Sequence, residues 1–262
     1  MTRAYRRPVP KAAAWAVPLL LTVLWQIVAE SNIFPPRVLP GPWEVIQALV
    51  QLARSGELWA DLRISAWRAA IGLAAGGTAG LLLGMATGAF RSAETVLDTT
   101  VQMLRNIPSL ALLPLIILWF GIGEETKTLL IAIGVFFPIY LNTHHGIRAV
   151  DPALIEMGRS YGLDHRQLLR EVILPGATPS ILVGLRYALG HMWISLIVAE
   201  TVAAQAGIGY LVVNAREFML TDVVMVGILL YALLGKAADL AAKLLERSLL
   251  AWHPAYQPVQ TK

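Results

Sequence analysis

The sequence predicts an all-α protein that crosses a membrane repeatedly, with about six transmembrane helices and one cytoplasmic loop. Hydrophobic residues make up 56% of the 262 residues and charged residues only 15%, and the mean hydropathy is +0.62. A soluble domain of this length would need a larger share of polar residues to cover its surface. One polar segment, residues 151–175, separates two long apolar runs. We therefore interpret residues 1–262 as a single transmembrane domain with a helical core at about residues 67–250.

Six apolar runs are long enough to cross a bilayer as helices, which takes about 17 to 25 residues. They cover residues 12–29, 67–90, 104–120, 129–147, 181–204 and 223–242. The first run follows Arg6, Arg7 and Lys11, as the apolar part of a signal peptide would. It is longer than that part usually is and lacks a clear cleavage site, so we interpret it as a retained span.

The placement of Lys and Arg predicts the orientation. An even number of spans puts both termini on one side of the membrane, and most of the 21 Lys and Arg residues lie on that side. Cytoplasmic segments carry such an excess, so both termini and residues 151–175 are expected in the cytoplasm. The basic residues would meet anionic lipid headgroups of the inner membrane. No basic patch with interleaved aromatic residues suggests binding to nucleic acid.

Residues 31–61 form the first external loop in this topology. The stretch FPPRVLPGP holds four prolines and a glycine, which favour an extended path over a helix. Residues 43–52 then follow an amphipathic helical pattern. With Trp43 and Trp59, this helix is expected along the outer membrane interface, and a solvated loop is the alternative.

The second span carries a glycine ridge, which we define as the glycines at every fourth position: Gly72, Gly76, Gly80, Gly84 and Gly88. Residues four apart lie on one face of a helix, where small side chains let two backbones approach closely in lipid. We predict a tight helix contact along this ridge. Its partner is either another helix of the chain or a helix of a second copy.

The third span should be kinked or interrupted, because Pro108 and Pro114 lack a backbone donor and clash with the preceding turn. Broken helices near the middle of a membrane are where transporters place their paths and gates, although a purely structural role is equally open. Ionisable residues within spans are costly and therefore functional candidates. Arg105, Pro108, Arg186 and Glu200 form the candidate translocation path. For Arg186 the alternative is a structural pairing with a carboxylate or with carbonyl groups.

Residues 151–175 predict two capped helices joined by a glycine turn. Asp151 is suited to be an N-cap with Pro152 at the first helical position, and Gly162 to be a left-handed C-terminal cap. Asp164 then caps a second, amphipathic helix, with Gln167 able to return the hydrogen bond.

No pattern in the chain supports catalysis. Nothing matches the phosphate-binding motif G-x4-G-K-[ST], so ATP hydrolysis would belong to another subunit. His144 and His145 are adjacent and point about 100° apart on a helix, so they cannot share a metal ion. The absence of cysteine excludes disulfides and thiolate sites. We expect neither a cofactor nor a metal site.

The spacing of Glu156, Gly162 and the pair Leu174-Pro175 resembles the EAA motif of the permease subunits of bacterial ABC importers. The likeness extends from about residue 15 to residue 256. Stretches such as LRNIPSLALLPLIILWFGIG and VILPGATPSILVGLRYALGHMWISLIVAE are similar to aliphatic sulfonate permeases, within the group that serves sulfonates, taurine and nitrate.

This resemblance implies the type I ABC importer permease fold, a homodimer of permeases, two cytoplasmic ATPase subunits and an external solute-binding protein. It implies that the loop 151–175 docks on the ATPase through residues Glu156, Gly158, Gly162, Leu174 and Pro175. Met157-Gly158 departs from the Ala-Ala of the general motif, and a glycine within a helix costs about 1 kcal/mol relative to alanine.

The implied cargo is an aliphatic sulfonate, with taurine or nitrate as alternatives. An ion-coupled secondary transporter is the alternative from another class. It would need carboxylates at mid-membrane and usually internal repeats, and the sequence has neither.

Overall fold

The structure is a computed structural model that describes residues 13–252 apart from residues 32, 34 and 36. Both termini lie outside the described residues. Within the described part, regular structure is helical throughout, with no strand. The α-helices are α1 (Ala13–Glu30), α2 (Pro42–Ser55), α3 (Glu57–Ala89), α4 (Arg91–Leu104), α5 (Leu113–Phe120), α6 (Glu124–Arg148), α7 (Pro152–Ser160), α8 (His165–Leu168), α9 (Leu174–Ala203), α10 (Ile208–Glu217) and α11 (Thr221–Leu249). A 3₁₀ turn, Ser109–Leu112, precedes α5, and a π turn, Leu169–Ile173, precedes α9.

Four helices are long and apolar enough to cross a membrane: α3, α6, α11 and the continuous helix His165–Val202. The pair formed by α4 and the segment Ser109–Phe120 is bent by 82° and makes a fifth span if it counts as one. α1 is a shorter apolar helix. The predicted all-α membrane class is confirmed. The described residues provide four to five candidate spans where the sequence predicted six.

Several predicted spans have different boundaries in the structure. The second begins at Glu57 instead of residue 67, and the sixth ends at Leu249 instead of residue 242. The third was predicted to start at residue 104, but a helix, α4, occupies the polar residues before it. The chain then breaks at residues 105–108, where Pro108 cannot donate a backbone hydrogen bond. The fifth was predicted to start at residue 181. It begins instead at His165, because the π turn connects α8 to α9 without interruption.

α6 lies at the centre of the helical core and packs against both α3 and α9, which also contact each other. The glycine ridge lies at the contact between α3 and α6, and all five of its glycines are buried. A Cβ atom on Gly80 would lie 2.6 Å from the carbonyl oxygen of Phe136, and one on Gly84 would lie 2.7 Å from that of Tyr140. The neighbour of the ridge is therefore the backbone of α6 in the same chain.

α2, α10 and α11 share a second apolar cluster that includes Val45, Leu211 and Val226. α2 confirms the helix predicted within the first external loop. Trp43, on α2, and Trp59, near the start of α3, are exposed, as expected of indole rings that face a membrane interface.

Candidate functional site

The polar segment 151–175 begins with the predicted cap. The Asp151 carboxylate accepts a hydrogen bond from the backbone N–H of Ala153 at 2.9 Å, and Pro152 occupies the first helical position of α7. This arrangement satisfies one of the free donors at the start of α7. Only residues 149–151 separate α6 from α7, and Val150 among them is buried. The segment is therefore held closely to the end of α6.

Gly162 ends α7 in the left-handed region, with φ of +82°. The Leu163 N–H donates to the carbonyl of Gly158 at 3.1 Å, and the Gly162 N–H donates to that of Arg159 at 3.0 Å. These two bonds form a Schellman motif, which satisfies carbonyls at the end of the helix. The predicted left-handed cap is confirmed.

Gly158 is buried where α7 packs against the helix that follows it. A Cβ atom at this position would lie 2.8 Å from Cδ1 of Leu168 and 3.2 Å from Cδ1 of Leu163. The departure from the Ala-Ala pattern thus coincides with a close approach between the two halves of the loop.

The second half of the segment starts with a reciprocal capping box. The Gln167 N–H donates to Asp164 Oδ1 at 2.7 Å, and the Asp164 N–H donates to Gln167 Oε1 at 2.9 Å. The sequence correctly predicted this cap, but the helix it opens is not separate. Leu174 and Pro175 lie at the start of α9, directly after the π turn.

One face of α7 exposes apolar side chains that sequence reasoning did not single out. Leu154, Met157 and Tyr161 are 46%, 51% and 82% exposed, and Glu156 beside them is also exposed. Their spacing places the three apolar residues on one side of the helix. An exposed apolar face on a polar segment is suited to contact with another protein.

A cavity of about 540 Å³ opens at the break between α4 and α5. Arg105 and Pro108 line it from the break, Phe137 from α6, and His191 and Ser195 from α9. The described residues that line it include no Asp or Glu. The cavity therefore combines basic and hydroxyl groups with an aromatic and aliphatic wall. His191 and Ser195 belong to it because helical spacing puts them on one face of α9.

Arg186 lies elsewhere, between α9 and α11. Its guanidinium is 2.7 Å from Asp239 Oδ1, and Lys243 is 2.8 Å from the other oxygen of the same carboxylate. This geometry corresponds to the carboxylate pairing that the sequence left open for Arg186.

Glu200 lies in a buried polar network at the far end of the bundle from the segment 151–175. Its carboxylate accepts hydrogen bonds from Arg68 Nη1 at 2.8 Å, from the Ser65 hydroxyl at 2.7 Å and from the Gly209 N–H at 2.8 Å. Arg68 also pairs with Glu124 at 2.6 Å. The network ties α3 and α9 to the start of α10 and connects them to α6. Glu200 is only 1% exposed and does not line the cavity at the break.

Arg68 carries no sequence signal of its own, because a single arginine at the end of an apolar run is common where a span meets the membrane interface. Gly207 and Gly209 are the residues that could have revealed the network. A Cβ atom on Gly207 would lie 2.5 Å from the Glu200 carboxylate, so the turn before α10 passes directly over that charge.

Apolar helices of membrane length define an integral membrane protein, and a broken span beside a cavity is typical of transporters. The chain belongs to the family of binding-protein-dependent transport system inner membrane components, whose family model matches residues 76–251. The predicted resemblance to importer permeases is confirmed.

Three relatives match nearly the whole chain. The aliphatic sulfonates transport permease protein SsuC of Escherichia coli is 56% identical over 246 residues, which is 94% of both chains. The protein of the same name in Bacillus subtilis is 41% identical and covers 96% of this chain and 93% of its own. The taurine transport system permease protein TauC of Escherichia coli is 38% identical over 91% of this chain and 88% of its own.

Solved structures share the fold. A crystal structure of an amino acid ABC transporter with histidines matches with a TM-score of 0.63 at 20% identity, over 76% of this chain and 97% of the other. An inward-facing MetNI methionine ABC transporter matches with a TM-score of 0.52 at 21% identity, over 74% and 95% of the two chains. At this level of identity the match concerns the fold alone.

Proposed function

We propose that this chain is the permease subunit of an ATP-driven importer that moves aliphatic sulfonates across the cytoplasmic membrane. The observation that carries the proposal is the 56% identity to the aliphatic sulfonates permease of Escherichia coli over 94% of both chains. The taurine permease of the same organism is 38% identical. Taurine is therefore the alternative cargo.

Growth on single sulfur sources tests the cargo. A strain that lacks this gene is grown with ethanesulfonate, taurine or sulfate as the only sulfur source, and with nitrate as the only nitrogen source in a separate culture. We expect a defect on ethanesulfonate that a plasmid copy corrects. A defect confined to taurine or to nitrate would contradict the proposed cargo and assign the chain to a neighbouring group of the same family.

We propose that residues 151–175 form the loop that couples the permease to its ATPase, with Glu156, Gly158, Gly162, Leu174 and Pro175 as its motif residues. The exposed apolar face of α7 supports contact with a partner protein. The capped and tightly packed turn at Gly158 and Gly162 supports a rigid shape, which a docking element needs to transmit movement. The continuous helix that begins at His165, within the loop, also contains the cavity residues His191 and Ser195.

The cavity at the break is proposed as part of the translocation path, with Arg105 and Pro108 at its edge. An anion passes a weak positive site more readily than a strong one, because a deeply bound ion does not leave. Arg105→Ala should lower ethanesulfonate uptake about tenfold without reducing the amount of protein, whereas Arg105→Lys should keep most of it. Unchanged uptake by the alanine variant would remove Arg105 from the path.

The proposed assembly contains two copies of this chain, two ATPase subunits in the cytoplasm and a solute-binding protein outside. Both termini would be cytoplasmic, with basic side chains at the lipid surface. ATP hydrolysis would take place in the ATPase subunits, because this chain lacks a phosphate-binding loop. Purification of the tagged chain together with an ATPase from the same operon tests this composition.

A further inference from the structure

Polar side chains connect α4 to α6 in a regular ladder. The Glu94 carboxylate accepts a hydrogen bond from the Arg148 guanidinium, and it lies 3.9 Å from Nε2 of His144. One turn further along α4, Asp98 accepts a hydrogen bond from the Tyr140 hydroxyl at 3.1 Å. We call these five residues the α4–α6 ladder.

The ladder is built from helical repeats on both sides. Glu94 and Asp98 are four residues apart on α4, and Tyr140, His144 and Arg148 follow the same spacing on α6, so each set shares one helix face. The two helices are antiparallel along the ladder, because the later residue on α4, Asp98, contacts the earlier residue on α6, Tyr140. A one-turn slip of α4 would therefore break both carboxylate contacts at once.

A third helix, α3, also contacts the ladder. Nδ1 of His144 lies 3.0 Å from the Thr87 hydroxyl on α3, and both residues are buried. The Tyr140 side chain is fully buried as well. Glu94 and Arg148 are partly exposed at the outer edge of the ladder. The ladder is thus anchored in the core, although α4 itself has only one buried residue, Val101.

The ladder lies between the two parts of the molecule that transport requires. On one side, Arg148 is the last residue of α6, and α7 begins four residues later. On the other side, α4 ends at Leu104, next to Arg105 in the cavity wall. The Asn106 side chain donates to the carbonyl of Gln102 at 3.0 Å, so the start of the break is bound to α4.

We infer that the α4–α6 ladder is a mechanical link that moves α4, and with it the cavity wall at Arg105, together with the coupling loop. The inference rests on the proposed coupling role of residues 151–175. The ladder would be a second connection between the loop and the cavity, besides the continuous helix that includes α9. Its side chains would have a positioning role: Glu94, Asp98, Tyr140 and Arg148. Energetic coupling between two sites is carried by packed side chains and networks of hydrogen bonds and ion pairs, and the ladder forms such a network between α4 and α6.

The link is tested by the ratio of cargo imported to ATP hydrolysed, measured on the complete complex in proteoliposomes. Glu94→Gln and Tyr140→Phe should each lower this ratio about threefold or more, while ATP hydrolysis continues. Glu125→Gln, the same change at an exposed carboxylate outside the ladder, should leave it unchanged. The double reversal Glu94→Arg with Arg148→Glu should recover the ratio that either reversal alone loses. Unchanged ratios in the ladder variants, or no recovery in the double reversal, would overturn the inference.

A distance measurement keeps the link testable whatever the cargo is. The chain has no cysteine, so spin labels can be placed at Val96→Cys on α4 and Ala149→Cys beside α7. In the wild-type background the distance should stay the same between the nucleotide-free and the vanadate-trapped complex. In the Glu94→Gln background the distribution of this distance should broaden, or its mean should shift, between the same two states. Identical behaviour of the two backgrounds would contradict the link, whereas failure of ethanesulfonate import by the wild type would contradict only the proposed cargo.

Discussion

Among single residues, two glycines of the proposed coupling loop meet different structural constraints. Gly162 has a left-handed backbone and no atom within 4 Å of the position of a Cβ, whereas Gly158 has ordinary helical geometry and a crowded Cβ position. The first constraint is one of backbone conformation and the second is one of space. The sequence predicted the left-handed cap from its position after a helix, but it carried no information on the contact with Leu168.

Replacement of Gly162 tests the constraint on backbone conformation. Gly162→Val should destabilise the turn by about 1–3 kcal/mol, because a β-branched residue rarely adopts positive φ. Uptake should fall while the protein still inserts in the membrane. Gly162→Asn is the matched control, since asparagine tolerates this conformation and the space is open. Normal transport by the valine variant would show that the turn does not couple the two subunits.

Replacement of Glu200 shows whether this residue has a structural role or a role in transport. Its carboxylate serves three donors, so Glu200→Leu should lower the free energy of unfolding by about 3 kcal/mol and leave Arg68 with one carboxylate fewer. Thermal unfolding in detergent measures the loss, and the exposed Glu217→Leu should show little change. A Glu200→Leu protein that is as stable as the wild type but transports nothing would place the residue on the path instead.

At the scale of elements, the close approach of α3 and α6 depends on the glycine ridge. Five glycines in register predicted a contact, but the sequence could not identify the partner, because the same ridge would suit a second copy equally well. In the structure α6 packs on the ridge, and backbone carbonyl groups of α6 lie close to where a Cβ atom on Gly80 or Gly84 would be. α4 was missed because its polar residues resemble a connecting loop, and its role depends on contacts with α6 that are distant in sequence.

Enlarging the ridge tests the contact between α3 and α6. Gly80→Leu should separate the two backbones and destabilise the bundle by at least about 1–3 kcal/mol, because the core has no room for the added side chain. Ala79→Leu is the matched control, since this neighbouring residue is exposed. The yield of monodisperse protein from membranes is the measurement. Equal yields of the two variants would show that the ridge is not needed for the contact between α3 and α6.

For the whole molecule, hydropathy predicted the class of protein but not its internal architecture. Apolar runs indicate spans wherever they are long, and they do so independently of packing. They do not show where a helix continues through a polar segment, as α8 does into α9, or where two short helices meet at 82°. The buried network at Glu200 was hidden for the same reason, since it joins Arg68, Glu124 and Glu200, each more than 50 residues from the next in the sequence.

This chain is proposed to convert ATP-driven movement of the loop 151–175 into import of an aliphatic sulfonate. The most direct measurement is uptake of labelled ethanesulfonate by proteoliposomes that contain the chain and its ATPase, with the solute-binding protein supplied on the outer side. This proposed function predicts uptake that requires ATP inside the vesicles and the binding protein outside, and that is lost in Gly162→Val. Uptake without ATP, or uptake of taurine but not of ethanesulfonate, would contradict it.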